Sequence, residues 1–370
     1  MSLPEISDSA LASVEISLLT CKPHEEVYSL YGHTAIRIVD TEGGRDMVVN
    51  WGVFDSSKPN FVYHFIMGET DYMMAMVSTE GFLREYYYYG SEVIQQKLNM
   101  TLQEKRNFLA ILDEYSKPEN RIYRYNFYYD NCTTRARDVI VKAMEGKVEY
   151  QSWKSKSEDE TFRDLIHSKN ADYPWCRWGN DFLLGLGSDA QMTHAERQFI
   201  PEMLEADFDS AIVILPNGAE KPLVESTSIL LPAGQSMAEP MVGFPLSPEA
   251  CSVLFLNLVI VFTMCERFLI RKELKWFDYI VFNLLGLLGL LLVVMMFSEH
   301  PTVKLNFQIF LFCPLWLVLY SPFVTLRRKR MIALVIIEIF LLGNFFQSYA
   351  EGLNILALSL LIRIVKNPKK

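Results

Sequence analysis

A chain of 370 residues that is 50% hydrophobic and 21% charged is too apolar for a simple soluble enzyme and long enough for two domains. A net charge of -9, with the basic residues of the last third set between apolar runs, offers no surface for nucleic acid. The cysteines Cys21, Cys132, Cys176, Cys251, Cys265 and Cys313 show no CxxC or CxxH spacing, so neither a metal nor another cofactor is expected.

Met1 to Ser13 has no basic start followed by an apolar core, so no signal peptide is read there. An exported domain needs a leader, and Met1-Ser2-Leu3 is expected to stand where one was removed. VEISLLTC (14–21), SLYGHTAIRIVD (29–40) and DMVVNWGVFD (46–55) read as three strands, with TEGG turning between the last two. His33 opens the alternating part of the second, where a ring can reach a cleft. KPNFVYHFIMGETDYMMAMVS and the run Tyr86–Tyr89 are ambiguous between helix and strand. The tyrosines suit a lipid-interface belt or core packing equally. TLQEKRNFLAILDEYS (101–116) is an amphipathic helix with a capping box at Thr101 and Glu104.

RIYRYNFYYDNCTTRARDVIVKAM (121–144) starts as an aromatic strand, turns at Asp130-Asn131, and continues at helical spacing through Ala136, Val139, Ile140 and Ala143. Cys132 therefore lies at a helix N-terminus. There the macrodipole and the free N–H groups favour a thiolate and can receive an oxyanion; a small buried thiol is the competing reading. A strand-borne imidazole and a helix-borne thiol are what a Cys-His nucleophilic site needs. Cys132 would attack an acyl carbonyl, and His33 would take the thiol proton and later activate the incoming nucleophile. Asn50 and Asp55 are candidates for the group that orients the ring. At most one bridge, Cys21 with Cys176, fits this half of the chain.

GNDFLLGLGSDAQMTHAERQFIPEML (179–204) holds Asp181, Asp189, His194 and Glu196, a set that suits a metal or a second acid-base pair. A capped helix start, with Thr193 as N-cap and Glu196 closing a capping box, is the stronger reading.

Beyond Pro248 come five apolar segments, expected as helices over 249–268, 277–297, 305–325, 331–350 and 352–365. The last carries Arg363 near its end, where a long side chain can snorkel, and Glu338 is a costly carboxyl that suits a helix-helix hydrogen bond. The clusters Arg267 to Lys275, Arg327 to Arg330 and Lys366 to Lys370 share one side if all five cross. The positive-inside rule makes that side cytoplasmic. Residues 1–245 are then an extracytoplasmic Cys-His catalytic domain and 246–370 a polytopic membrane domain. SEHPTVKLN, with His300 and Asn306, falls at the outer interface.

His before Cys, with strands between, resembles the circularly permuted papain-like fold of the lecithin:retinol acyltransferase relatives. The motifs YSLYGHTAIRIVD, NWGVFD, YNFYYDNCTTRARD, LLGLGSDAQMTHAERQFIPEML and SEHPTVKLN, followed by membrane helices, resemble the Lnb family of bacterial lipoprotein N-acyltransferases over nearly the whole chain. That resemblance implies an α+β fold: a circularly permuted papain-like cysteine-enzyme domain, then an α-helical transmembrane domain of about five helices. It implies catalysis by Cys132 and His33, to which we add Asn50 as orienting group and Tyr31, Asn131, Arg135 and His300 as expected substrate contacts. It also implies a phospholipid acyl donor, a diacylated lipoprotein acceptor, and a place in the bacterial inner membrane with the catalytic domain on the periplasmic side. The residues alone leave open a membrane-anchored Cys-His hydrolase of peptides or lipid esters. They also leave open a non-catalytic binding module in which His33 and Cys132 merely pack.

Overall fold

The computed structural model describes residues 7–26, 29–151, 153, 159–239, 243–320 and 324–366. The chain divides into two compact units, Met1–Glu160 with Gln191–Met241, and Thr161–Ala190 with Val242–Lys370. The segment 161–190, expected to belong with a domain ending near residue 245, groups with the C-terminal helices instead.

The first unit opens with α1 (Asp8–Ala12), capped by Ser7, and the strands β1 (Val14–Cys21), β2 (His33–Asp40) and β3 (Arg45–Val53). Next come α2 (Phe61–Met67), β4 (Asp71–Ser78), α3 (Thr79–Tyr89) and β5 (Val93–Leu98). They are followed by α4 (Leu102–Ser116), β6 (Ile122–Arg124), α5 (Cys132–Ala143) and β7 (Lys147–Tyr150). The chain leaves this unit for α6 (Phe162–Lys169) and α7 (Pro174–Leu183). It returns with α8 (His194–Arg197), α9 (Pro201–Asp209), β8 (Ala211–Ile214), β9 (Glu220–Pro222) and β10 (Val224–Leu231).

Seven strands form an antiparallel sheet in the order β10-β5-β1-β2-β3-β4-β6, and β7, β8 and β9 form a smaller one. The large sheet is covered on both faces. Ile16, Leu18, Ile36, Val49 and Trp51 pack with Ala136, Val139 and Ile140 of α5 and Phe108 of α4. Their alternates Leu19, Cys21, Ala35 and Val48 pack with Phe82 and Tyr86 of α3. Successive side chains point to opposite faces, so two-sided cover buries every residue of β1 except Glu15, the small polar Ser17 and Thr20 included. The stretch that was ambiguous from its sequence becomes a helix and then a strand because Gly68 ends α2 in the left-handed region, at φ 71°. Tyr86 is core, while Tyr87 and Tyr88 are exposed.

In the second unit α10 (Pro248–Met264) continues as a π-helical turn, Cys265–Ile270, and α11 (Lys275–Met296) follows. Pro248–Ile270 and Lys275–Met296 are each long and apolar enough to cross a bilayer. The segment expected as a third continuous helix, 305–325, is broken. Asn306 caps a 3₁₀ turn at Phe307–Phe310, and Pro314, which has no N–H to give, precedes the five-residue α12 (Leu315–Leu319). Residues 321–323 lie outside the described residues. α13 (Leu326–Gly343) takes Arg327 to Arg330 into its first turns, and α14 (Leu353–Val365) is short and apolar.

Buried polar side chains explain why 161–190 joins this unit. Arg163 Nη1 donates to Asp181 Oδ1 at 2.6 Å and Nε to Asp189 Oδ1 at 2.9 Å. Gln308 Nε2 donates to the Asp181 carbonyl at 2.6 Å, and Asn306 Nδ2 to that of Phe182 at 2.9 Å. Pulling the segment away would strand charges and amides without partners. Arg363 does not reach outward as a snorkelling side chain would. It is 3% exposed, with Nε to Asp278 Oδ1 at 2.6 Å and Nη2 to Glu266 Oε1 at 2.8 Å, while Lys366 joins both carboxylates. Glu338 lies on the exposed face of α13 and not in a helix-helix contact. All six cysteines are free thiols, so the bridge between Cys21 and Cys176 does not form.

Replacing Arg363 by Met should leave two carboxylates with Lys366 alone and destabilise the second unit by roughly 3 kcal/mol. The double change Arg363→Met with Glu266→Gln should recover part of that. Denaturant titration of the detergent-solubilised protein, read by tryptophan fluorescence, checks both.

Candidate functional site

Asn131 gives α5 its start. Its Oδ1 accepts from the N–H of Thr133 and of Thr134, both at 2.9 Å, and the Thr134 hydroxyl closes the box by accepting from the Asn131 N–H at 2.8 Å. A helix N-terminus leaves its first N–H groups without intrahelical acceptors. Cys132 is the first helical residue, so its N–H has no acceptor within the helix and lies beside its own thiol. Cys132 is 8% exposed.

His33 is the first residue of β2, opposite Cys21 of β1. Its ring lies within electrostatic reach of the Cys132 thiol, and each group shifts the pKa of the other. Asn50, on β3, faces Ala35 across the sheet, and its Oδ1 lies 2.6 Å from His33 Nε2. An amide oxygen only accepts, so Nε2 carries the hydrogen and Nδ1 is the basic nitrogen. β3 bulges just beyond Asn50, at Trp51-Gly52, where Gly52 adopts φ 88°. A Cβ on Gly52 would meet Cys132 Cβ and Tyr125 Cε2, each at 3.8 Å. A bulge of this kind re-aims side chains next to a site, and here only glycine takes the positive φ without strain.

Burial alone would push the Cys132 thiol up. The charge of His33, helped by the Thr34 N–H and the Thr133 hydroxyl, outweighs it and brings the thiol down to about 7. Burial likewise pulls His33 down, and Cys132 and Asn50 outweigh that and hold it above its ordinary value. Both shifts run in the direction that favours proton transfer from the thiol to the imidazole. Cys21, by contrast, is pushed far up by burial, so a neighbouring thiol on the same sheet stays protonated and inert.

The remaining expected residues separate. Tyr31 is half-buried, its ring edge-on to Phe127 at 5.1 Å. Asn131 has its amide used up, since Nδ2 donates to the carbonyls of Phe127 and Phe199 while Oδ1 caps the helix. Arg135 is clamped by Asp130 at 2.6 and 2.8 Å and lies over the Tyr123 ring at 3.5 Å. Both therefore hold structure. Asp55 accepts from Ser57 in an exposed turn, which leaves Asn50 as the partner of His33. His300 belongs to the second unit, where it lines a cavity of about 570 Å³ with Glu299, Thr302, Lys304, Leu186 and Leu305. That cavity forms where the LLGLGSD and SEHPTVKLN stretches dock. The Gly185 N–H donates to the Thr302 carbonyl at 2.7 Å, and a Cβ on Gly185 would stand 2.2 Å from the Leu305 oxygen.

The acidic set around Asp189 divides likewise. Asp181 and Asp189 hold Arg163, and Glu196 forms the capping box with Thr193. Among the described residues no cluster of His, Cys, Asp and Glu is arranged to hold a metal. Thr34, Gly52, Thr133 and Tyr125 were not singled out from the sequence, although GHT, NWG and NCTT carried the first three beside residues that were.

A buried cysteine beside a half-buried histidine on an α+β domain, continued by long apolar helices, defines a membrane-anchored protein with a cysteine-centred site. Residues 6–167 match the model of the Lnb N-terminal periplasmic domain and residues 239–369 that of the Lnb transmembrane domain. The chain belongs to the Lnb family. Membership makes it a membrane-associated, lipoprotein-processing protein with a periplasmic domain. No curated protein and no solved structure matches it.

The alkylation rate of Cys132 should rise with a midpoint near pH 7 in the wild type. In His33→Ala the largest lowering influence is gone while burial, the larger of the causes that remain, persists, so the midpoint should move above the ordinary thiol value of about 8.5. Iodoacetamide labelling across pH, followed by peptide mass spectrometry, reads it directly. Gly52→Ala should cost about 1–2 kcal/mol through its positive φ and loosen Asn50, slowing labelling at neutral pH.

Proposed function

We propose that this chain is a lipoprotein N-acyltransferase, moving an acyl chain from a phospholipid to the α-amine of an N-terminal S-diacylglyceryl-cysteine through a thioester on Cys132. The observation that carries the reading is a buried thiol brought to about 7 by His33 at a helix N-terminus, in a chain of the Lnb family.

The chemistry balances with these residues. The Cys132 proton passes to His33, the sulfur attacks the ester carbonyl, and the oxyanion takes the Cys132 N–H and the helix dipole. The carbon-oxygen bond then breaks, and His33 returns its proton to the departing lysophospholipid oxygen. In the second half the amine attacks the thioester and loses a proton to His33. Cleavage of the carbon-sulfur bond, with that proton returning to sulfur, restores the thiol. Asn50 keeps the imidazole in the tautomer both halves require. Low exposure at Cys132 supports an amine acceptor over water, because a thioester survives only where water is poorly admitted.

The same reading includes the circularly permuted papain-like fold, supported by the strand-borne His33 and helix-borne Cys132 on an antiparallel sheet. It also includes five membrane crossings in the inner membrane with Arg327 to Arg330 on the cytoplasmic side, supported by the charge asymmetry of the apolar runs.

Incubated with phospholipid alone, the protein should gain the mass of one acyl chain on Cys132, removable by neutral hydroxylamine and discharged by a diacylated lipopeptide. Cys132→Ala should gain none and lose at least about 1,000-fold in transfer, the scale of nucleophile removal elsewhere. Intact-mass measurement decides it: an adduct that persists in Cys132→Ala, or that lipopeptide fails to discharge, refutes the mechanism.

A further inference from the structure

The helix α2, FVYHFIM, has six apolar residues in seven, and none of the seven is buried. Val62 is 67% exposed and Tyr63 56%, with Phe65 and the preceding Phe54 also exposed. Scattered apolar residues on a surface need no explanation; nearly two helical turns of them, closed by a glycine cap, do. Folding of the first unit gains little from this helix, since it leaves that surface in water.

A second observation gives the surface a direction. Phe61 stacks on Phe54 at 5.6 Å between ring centroids, Phe54 meets Tyr72 at 5.2 Å, and Tyr72 stacks on Tyr125 at 4.4 Å. Tyr125 and Cys132 flank Gly52 together, Tyr125 Cε2 and Cys132 Cβ each 3.8 Å from where a Cβ on Gly52 would stand. Four rings thus run from the exposed helix to the neighbourhood of Cys132, and no charged side chain takes part in the row. Aromatic rings of this kind give an extended hydrocarbon chain contact along its whole length. The exposed end presents Tyr and Phe as interfacial anchors do at the boundary of a bilayer.

We propose that α2 is a membrane-contact element whose exposed face, Val62, Tyr63 and Phe65, enters the acyl-chain boundary of the bilayer, and that the row Phe61, Phe54, Tyr72, Tyr125 guides a lipid acyl chain from there to Cys132. The occupant is bilayer hydrocarbon and not a protein partner, because the surface continues through rings alone to Tyr125, beside Gly52 and Cys132, and belongs to a chain anchored in a membrane. The guiding role rests on the acyltransferase reading; the membrane contact stands without it.

The full-length protein in nanodiscs of phosphatidylethanolamine and phosphatidylglycerol, with part of the lipid carrying a diazirine on its acyl chain, tests both. On irradiation, mass spectrometry should find lipid adducts on the peptide containing Val62 and Tyr63, at least tenfold fewer in the double variant Val62→Asp, Tyr63→Asp. Absence of such adducts from the wild type, while the Pro248–Ile270 peptide is labelled, overturns the contact. So does cross-linking of α2 to a second copy in place of lipid. Acylation of Cys132 by bilayer phospholipid should fall at least tenfold in the double variant, and acylation by a monomeric short-chain phospholipid should not. Equal loss with both donors overturns the guiding role. If wild-type Cys132 accepts an acyl group from neither donor, it is the acyltransferase reading that fails, and the diazirine adducts alone decide the contact.

Discussion

An acidified thiol held out of water is the constraint around which the first unit is arranged. Burial by itself would keep Cys132 protonated, as it does Cys21 at the end of β1, and the difference between the two thiols is the partner each finds. Cys21 finds a tyrosine hydroxyl, from Tyr86, which brings no positive charge. Cys132 finds an imidazole that can carry one, an N–H from Thr34 and a helix N-terminus. In a medium of low dielectric an opposite charge in contact is worth far more than in water, so one ring decides which thiol is reactive.

That pairing draws on several elements at once. His33 is available because β2 begins at it, Asn50 because β3 runs antiparallel to β2 in a register that sets it opposite Ala35, and Cys132 because Asn131 starts a helix there. Gly52 allows the third strand to bulge without a side chain filling the space next to the thiol. Each local feature is inexpensive. Together they hold three side chains in one arrangement, which is what pre-organised catalysis requires.

The second unit shows the same principle applied to stability. Its helices pack apolar faces, yet their register is specified by buried polar contacts: Arg163 with Asp181 and Asp189, Gln308 and Asn306 with backbone carbonyls, Arg363 and Lys366 with Glu266 and Asp278. Such pairs stabilise little relative to apolar substitutes. Their geometric demands, however, exclude alternative packings of similar apolar helices.

What the sequence by itself determined were features that depend on neighbours along the chain. The alternation of β1 to β3, the capping boxes at Thr101 and Thr193, the helix start at Cys132 and the apolar runs after Pro248 all follow from periods and caps that a few residues specify. His33 and Cys132 stood out for the same reason, each at the edge of a legible element. Only the tertiary structure decided what lay across the fold. It gave the orienting contact to Asn50 and not Asp55, spent Asn131 and Arg135 on holding the chain, and buried Arg363 against two carboxylates. It moved 161–190 into the second unit, broke the helix expected over 305–325, and left α2 uncovered. Those outcomes turn on which distant groups satisfy a charge, an amide or an apolar face, and sequence separation carries no information about that until the chain has closed on itself.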